Sequence, residues 1–167
     1  MDIRQLRMNL QLKIVDVFNK NIDKEFIFGE RDCHTLTLEI FDAVTGSNAL
    51  PLIYKKYKTP KGAMRLMVKL NTEIEQFVQR YCEPVPHELM ASGDLVLRWN
   101  EEYKIHDVSW YLGNNRFGLA NNIKGVIEIE QLDVQKIEDV KCYRLTEQAL
   151  LFQIEPIHIN NEPIKEE

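Results

Sequence analysis

FGERDCHTLTLEIF, residues 28–41, is the stretch on which the reading of this sequence turns. Asp32 is placed to cap a helix, because a short side-chain oxygen there can accept from backbone N–H groups that have no helical partner. Cys33, Leu36, Ile40 and Val44 then recur at helical spacing until Thr45-Gly46-Ser47 ends the element. Cys33 therefore falls in the first helical turn. Two readings of it compete. A helix N-terminus favours a thiolate and so a nucleophile, whereas an unpaired Cys is also one of the residue types most often buried as a small apolar group.

Working outward, Ile3, Leu6, Leu10, Ile14 and Val17 repeat every three or four residues, which predicts an amphipathic first helix ending near Asn21 and lying over the rest as a lid. Past the Pro-bounded LPLIYKKYKTPKG, a helix is expected over Ala63 to Leu70. A capping box at Thr72 and Glu75 then opens another helix carrying Ile74, Phe77, Val78 and Tyr81. CEPVPHELMASG is too rich in Pro for regular structure. From Gly93 the apolar period changes to two, predicting strands near 94–99, 105–112, 115–120 and 139–145, with a turn at Gly113-Asn114-Asn115. Helices precede strands, so the fold class is α+β, with N-terminal helices packed on a small antiparallel β-sheet. One domain is expected over 1–145. Residues 146–167, with Leu150, Leu151, Phe152 and Ile154, are expected to form an extended C-terminal arm seeking a surface to cover.

Composition narrows the function. The chain has 167 residues, 44% hydrophobic and 28% charged, which suits one core. A formal charge of -5 speaks against coating a phosphate backbone, and the few Lys of IYKKYK do not reverse that, so no nucleic-acid partner is expected. Cys33, Cys82 and Cys142 form no CxxC pair, so neither a disulfide framework nor a metal is signalled, and no cofactor is expected. No 18 apolar residues run together and no export signal opens the chain, so synthesis in a cytoplasm without membrane insertion is expected. His34 lies about 100° round the helix from Cys33 and reads as a packing or surface residue. His87 sits in a Pro-bounded loop. Glu101-Glu102, Glu30 with Asp32, and Glu128 with Glu130 read as solvated charge.

If Cys33 is a nucleophile it needs a histidine base, and the downstream choice is His106. Here the residues carry a resemblance. Phe26 to Cys33 (FIFGERDC), Ala91 to Leu97 (ASGDLVL), Asp107 to Gly113 (DVSWYLG), Gly125-Val126 and Cys142 to Leu145 (CYRL) stand in the order seen in NlpC-type papain-like cysteine peptidases. The set is most similar to small phage-encoded members associated with tail genes. That resemblance implies a papain-like fold, with the Cys helix facing an antiparallel sheet. For active members it implies an amidase or endopeptidase cutting peptidoglycan stem peptides.

The departures from the family pattern matter more. Aligning YLG puts Asp107, not His106, where active relatives have histidine, and the third polar position falls near Leu119. Strand alternation would place Asp107, Ser109 and Tyr111 toward Cys33, with His106 on the opposite face. A carboxylate beside the thiol also opposes its ionisation. The expectation is a phage tail or virion structural or adaptor protein with a degenerate active site, contacting other virion proteins through the 146–167 arm. It would be synthesised in the host bacterial cytoplasm and located in the tail. The alternative is an active peptidoglycan peptidase with Cys33 as nucleophile, His106 as base and Asp107 as the third site candidate.

Overall fold

Capping chemistry sets where each helix begins in the computed structural model, which describes residues 2–156. Helix α1 spans Ile3–Asn21 behind Asp2, whose carboxylate accepts from the Arg4 N–H, and it buries Leu10, Ile14, Val17 and Phe18 as the periodicity predicts. Helix α2 spans Cys33–Thr45 and stops at Gly46, which takes the left-handed conformation at φ 72°. Helix α3, Pro60–Leu70, begins three residues earlier than expected, because Pro60 is pre-set for the first helical position and Thr59 caps it by accepting from the Gly62 N–H. Helix α4 is Ile74–Tyr81. Its N-cap is Glu73 and not Thr72: the Gln76 side chain accepts from the Glu73 N–H at 3.0 Å, which releases Glu75 from the expected capping role.

Among the described residues six strands form one antiparallel sheet: β1 Cys82–Val85, β2 Leu95–Asn100, β3 Ile105–Gly113, β4 Arg116–Asn121, β5 Val126–Gln131 and β6 Lys141–Leu145, in the order β1-β6-β2-β3-β4-β5. The α+β class read from the sequence holds. The Pro-rich stretch expected to be irregular nonetheless contributes β1, and β5 was not anticipated. Both are edge strands, where pairing is needed on one side only and Pro84 is tolerated.

Both faces of the sheet are covered. On one, α1, α2 and α4 pack on Leu95, Leu97, Val108, Trp110, Ile127, Tyr143 and Leu145. On the other, Val96, Tyr111, Phe117 and Cys142 lie beneath Val134 and Ile137 of the β5–β6 connection. Gly118 lets α1 come close, since a Cβ there would stand 2.7 Å from the Phe18 ring.

The expected extended arm is corrected at its start. Thr146 accepts from the Ala149 N–H and opens a one-turn helix, α5 (Glu147–Leu150), which inserts Ala149 and Leu150 beside α1 and α2 with 0% and 2% exposure. Burying these side chains outweighs extension, so the packed domain runs past Leu145 to at least Leu150. Residues 157–167 of the expected arm lie outside the described residues.

Candidate functional site around Cys33

The loop before α2 is held by one carboxylate. Asp32 is 2% exposed; its Oδ1 accepts from the Thr35 N–H at 2.8 Å, and its Oδ2 from the Gly29 N–H at 2.8 Å and from the Tyr57 hydroxyl. Thr35 Oγ1 in turn accepts from the Asp32 N–H at 2.9 Å. Gly29 has φ 83°, and a Cβ on it would lie 2.0 Å from the Tyr57 carbonyl oxygen, so only glycine fits. These contacts fix the direction in which Cys33 leaves the loop.

Cys33 is half-buried in a cleft walled by Phe26, Phe28, Tyr57, Tyr103 and Asp107. Phe26 meets Phe28 edge-on at 4.7 Å, and Phe28 meets Tyr103 at 6.1 Å. The cavity left between them is about 20 Å³, room for about one water. Burial, and then the charges of Asp32 and Asp107, push the Cys33 thiol well above its ordinary pKa, against a smaller pull from the Val108 N–H. Desolvation and two carboxylates thus outweigh the helix N-terminus. Asp107, exposed on its outer side, has its own carboxyl raised by burial, opposed by the Asn100 amide at 3.1 Å.

Strand parity comes out opposite to expectation. Val108 and Trp110 are on the helix-facing side, where Trp110 Nε1 donates to Thr37 Oγ1 at 3.1 Å and the indole meets Phe41 at 5.9 Å. Tyr111 packs on the far side with Phe117, ring to ring at 5.0 Å. The β2–β3 register is unbroken from Ile105 to Trp110, so His106 shares the face of Val108 and Trp110. With both faces apolar, alternation alone could not say which one meets α2. Asp107 still reaches the Cys33 cleft because β4 pairs with β3 only from Ser109 onward, leaving that end of the strand open.

His106 and Cys33 are nonetheless not brought together. The imidazole Nε2 lies 3.3 Å from Glu75 Oε2 and the ring packs on Trp99 at 5.0 Å. His34 Nε2 donates to the His106 carbonyl at 2.7 Å. Among the described residues neither imidazole hydrogen-bonds to the thiol. Leu119, opposite Ser109, supplies no polar group.

Residues 7–139 match a family described as a domain of unknown function, DUF6950. The chain belongs to the DUF6950 family. No curated protein matches it. The DUF6950 match contains Cys33, His106 and Asp107 together with Glu75, the residue that holds His106. Among the described residues of this DUF6950 chain, no helix is long and apolar enough to cross a membrane.

Two charged anchors of the DUF6950 domain escaped the reading of the sequence. Asp94, 1% exposed, receives Arg144 Nε and Nη2 at 2.9 Å each and the Ala91 N–H at 2.8 Å. The GDLVL and CYRL pieces, far apart in sequence, are thus two halves of one ion pair. Glu75 Oε1 receives Lys141 Nζ at 2.6 Å and the Tyr143 hydroxyl at 3.1 Å. Burial alone would raise the Glu75 carboxyl, but these bonds and the nearby Lys141 and His106 charges outweigh it and hold it below the usual carboxylate range. Nothing in local sequence pairs residues this far apart.

Proposed function

We propose that this protein is a papain-like, NlpC-type scaffold that has given up hydrolysis and serves as a structural or adaptor part of a phage tail. One observation carries the non-catalytic reading: burial and then the charges of Asp32 and Asp107 work against a thiolate at Cys33, while His106 is held at Glu75. A thiol with a raised pKa and, among the described residues, no imidazole hydrogen-bonded to it has neither the thiolate nor the proton relay that acyl transfer requires. The aromatic walls of Phe26, Phe28 and Tyr103, which narrow the cleft beside Cys33, support the same reading.

The scaffold assignment is supported by a Cys-bearing helix on an antiparallel sheet and by the motif order that resembles tail-associated NlpC-type proteins. The adaptor role is supported by the outer face of α1, where Met8, Leu12 and Val15 stand 54%, 61% and 44% exposed at helical spacing.

Incubating wild type and Cys33→Ala with peptidoglycan stem peptides tests the first half. No Cys33-dependent product is expected, and one would revive the peptidase reading with Cys33 as nucleophile and His106 as base. For the second half, Leu12→Glu should fold with an unchanged Tm yet fail to enter tail particles; normal incorporation counts against an adaptor surface on α1.

A further inference from the structure

We propose that Glu73, Glu75 and His106 form a binding site for a divalent transition-metal ion of the Zn2+ class, at the junction of α4 and β3. It shares His106 with the peptidase reading, whose base that residue would be, but none of the three residues lines the Cys33 cleft. One ligand atom from each of the three lies within 4.8 Å of the others. The spacing of the closest pair is informative. Glu75 Oε2 and His106 Nε2 are 3.3 Å apart, long for a charge-assisted hydrogen bond, which runs about 2.7–2.9 Å. Two ligand atoms about 2.0–2.1 Å from a tetrahedral ion stand about 3.3 Å apart.

The imidazole is otherwise unclaimed. The His106 side chain is 10% exposed, and Nδ1 is buried with no hydrogen-bond partner, so Glu75 is the ring's only polar side-chain contact among the described residues. Glu75 is already oriented as a ligand would be, since Lys141 and the Tyr143 hydroxyl occupy Oε1 and leave Oε2 turned to the ring. Outer contacts of this kind orient carboxylate ligands in metal sites. Glu73 and Glu75 together outweigh the single Lys141 charge, so a dication meets net attraction. An imidazole nitrogen with two carboxylates suits Zn2+, Co2+ or Mn2+ better than Mg2+ or Ca2+. Three protein ligands leave a fourth position for water.

The test uses the full chain, stripped with chelator and titrated with Zn2+ or Co2+ alone. One equivalent should bind, Zn2+ should raise Tm, and Co2+ should develop the visible d–d band of a low-coordinate site, while Mg2+ does neither. Glu73→Gln, at the half-buried N-cap of α4, should lower the metal-free Tm by no more than a few degrees and weaken Zn2+ binding by more than about tenfold. His106→Ala should abolish the Co2+ band. Absence of stoichiometric binding overturns the site, as does affinity unchanged in Glu73→Gln. A thiolate charge-transfer band lost in Cys33→Ala would place the ion on the cysteine instead.

Discussion

Asp32 and Asp107 act on the same thiol through different means. Asp32 is a structural acceptor: replacing it with Ala removes the α2 cap and strands the Gly29 N–H and the Tyr57 hydroxyl. A lost cap together with buried unsatisfied donors should cost about 3 kcal/mol, read as a lowered urea midpoint. Asp107 holds no such backbone network, and its main service is its charge. A negative charge beside a thiol raises the thiol pKa, so Asp107→Asn should lower it. In iodoacetamide labelling across pH, the Cys33 profile of Asp107→Asn should therefore move to lower pH with little change in stability. An unmoved profile would mean that burial alone sets the thiol. Gly29→Ala places a Cβ on the Tyr57 carbonyl in a strained left-handed conformation, and should unfold this loop and shift Cys33 out of register.

At the scale of elements, the Asp94–Arg144 pair joins the start of β2 to β6 across a break in chain order. Removing Arg144 leaves the buried Asp94 carboxylate without its cation, and Arg144→Ala should cost about 3 kcal/mol, measured by chemical denaturation; a loss below about 1 kcal/mol would class the pair with surface ion pairs. Elements with strong local signals were legible in sequence: α1 by periodicity, α2 by periodicity and its Asp32 cap, β2 to β4 by alternation. The edge strands β1 and β5 were not, because Pro84 masks one and the other ends in charge, VIEIEQ. The first turn of the C-terminal segment read as an arm because its helix is only one turn long and is held by α1 and α2, which local sequence does not contain. Cys33 at a helix start was legible for the same reason as α2. The tie from His106 to Glu75 was not, since it depends on how α4 crosses the sheet.

At the scale of the whole molecule, apolar clusters on both sheet faces bear on the thiols. A sheet with apolar residues on both sides leaves its alternation uninformative about which face meets α2, and it buries Cys82 and Cys142 while Cys33 stays half-buried. Cys33 and Cys82 are pushed well above the ordinary thiol range by burial and then carboxylates, and Cys142 to about 11 by burial first. For an acid group raised in the folded state, the unfolded chain loses its proton first as pH rises. Stability is then full below about pH 8.5, the unfolded thiol value, and falls above it by about 1.4 kcal/mol per pH unit for each such thiol. Glu75 sets the opposite edge, because its lowered carboxyl contributes stability above the ordinary carboxylate pKa that is lost as pH falls through the folded value. Urea midpoints measured from pH 7 to 10 should therefore decline above about 8.5 in the wild type. Cys33→Ala, isolating one thiol, should decline less steeply over that window while keeping the same acid limb. If the alkaline slope is the same with and without the Cys33 sulfur, that thiol ionises as freely in the fold as outside it, and the cleft is no longer one that suppresses a nucleophile.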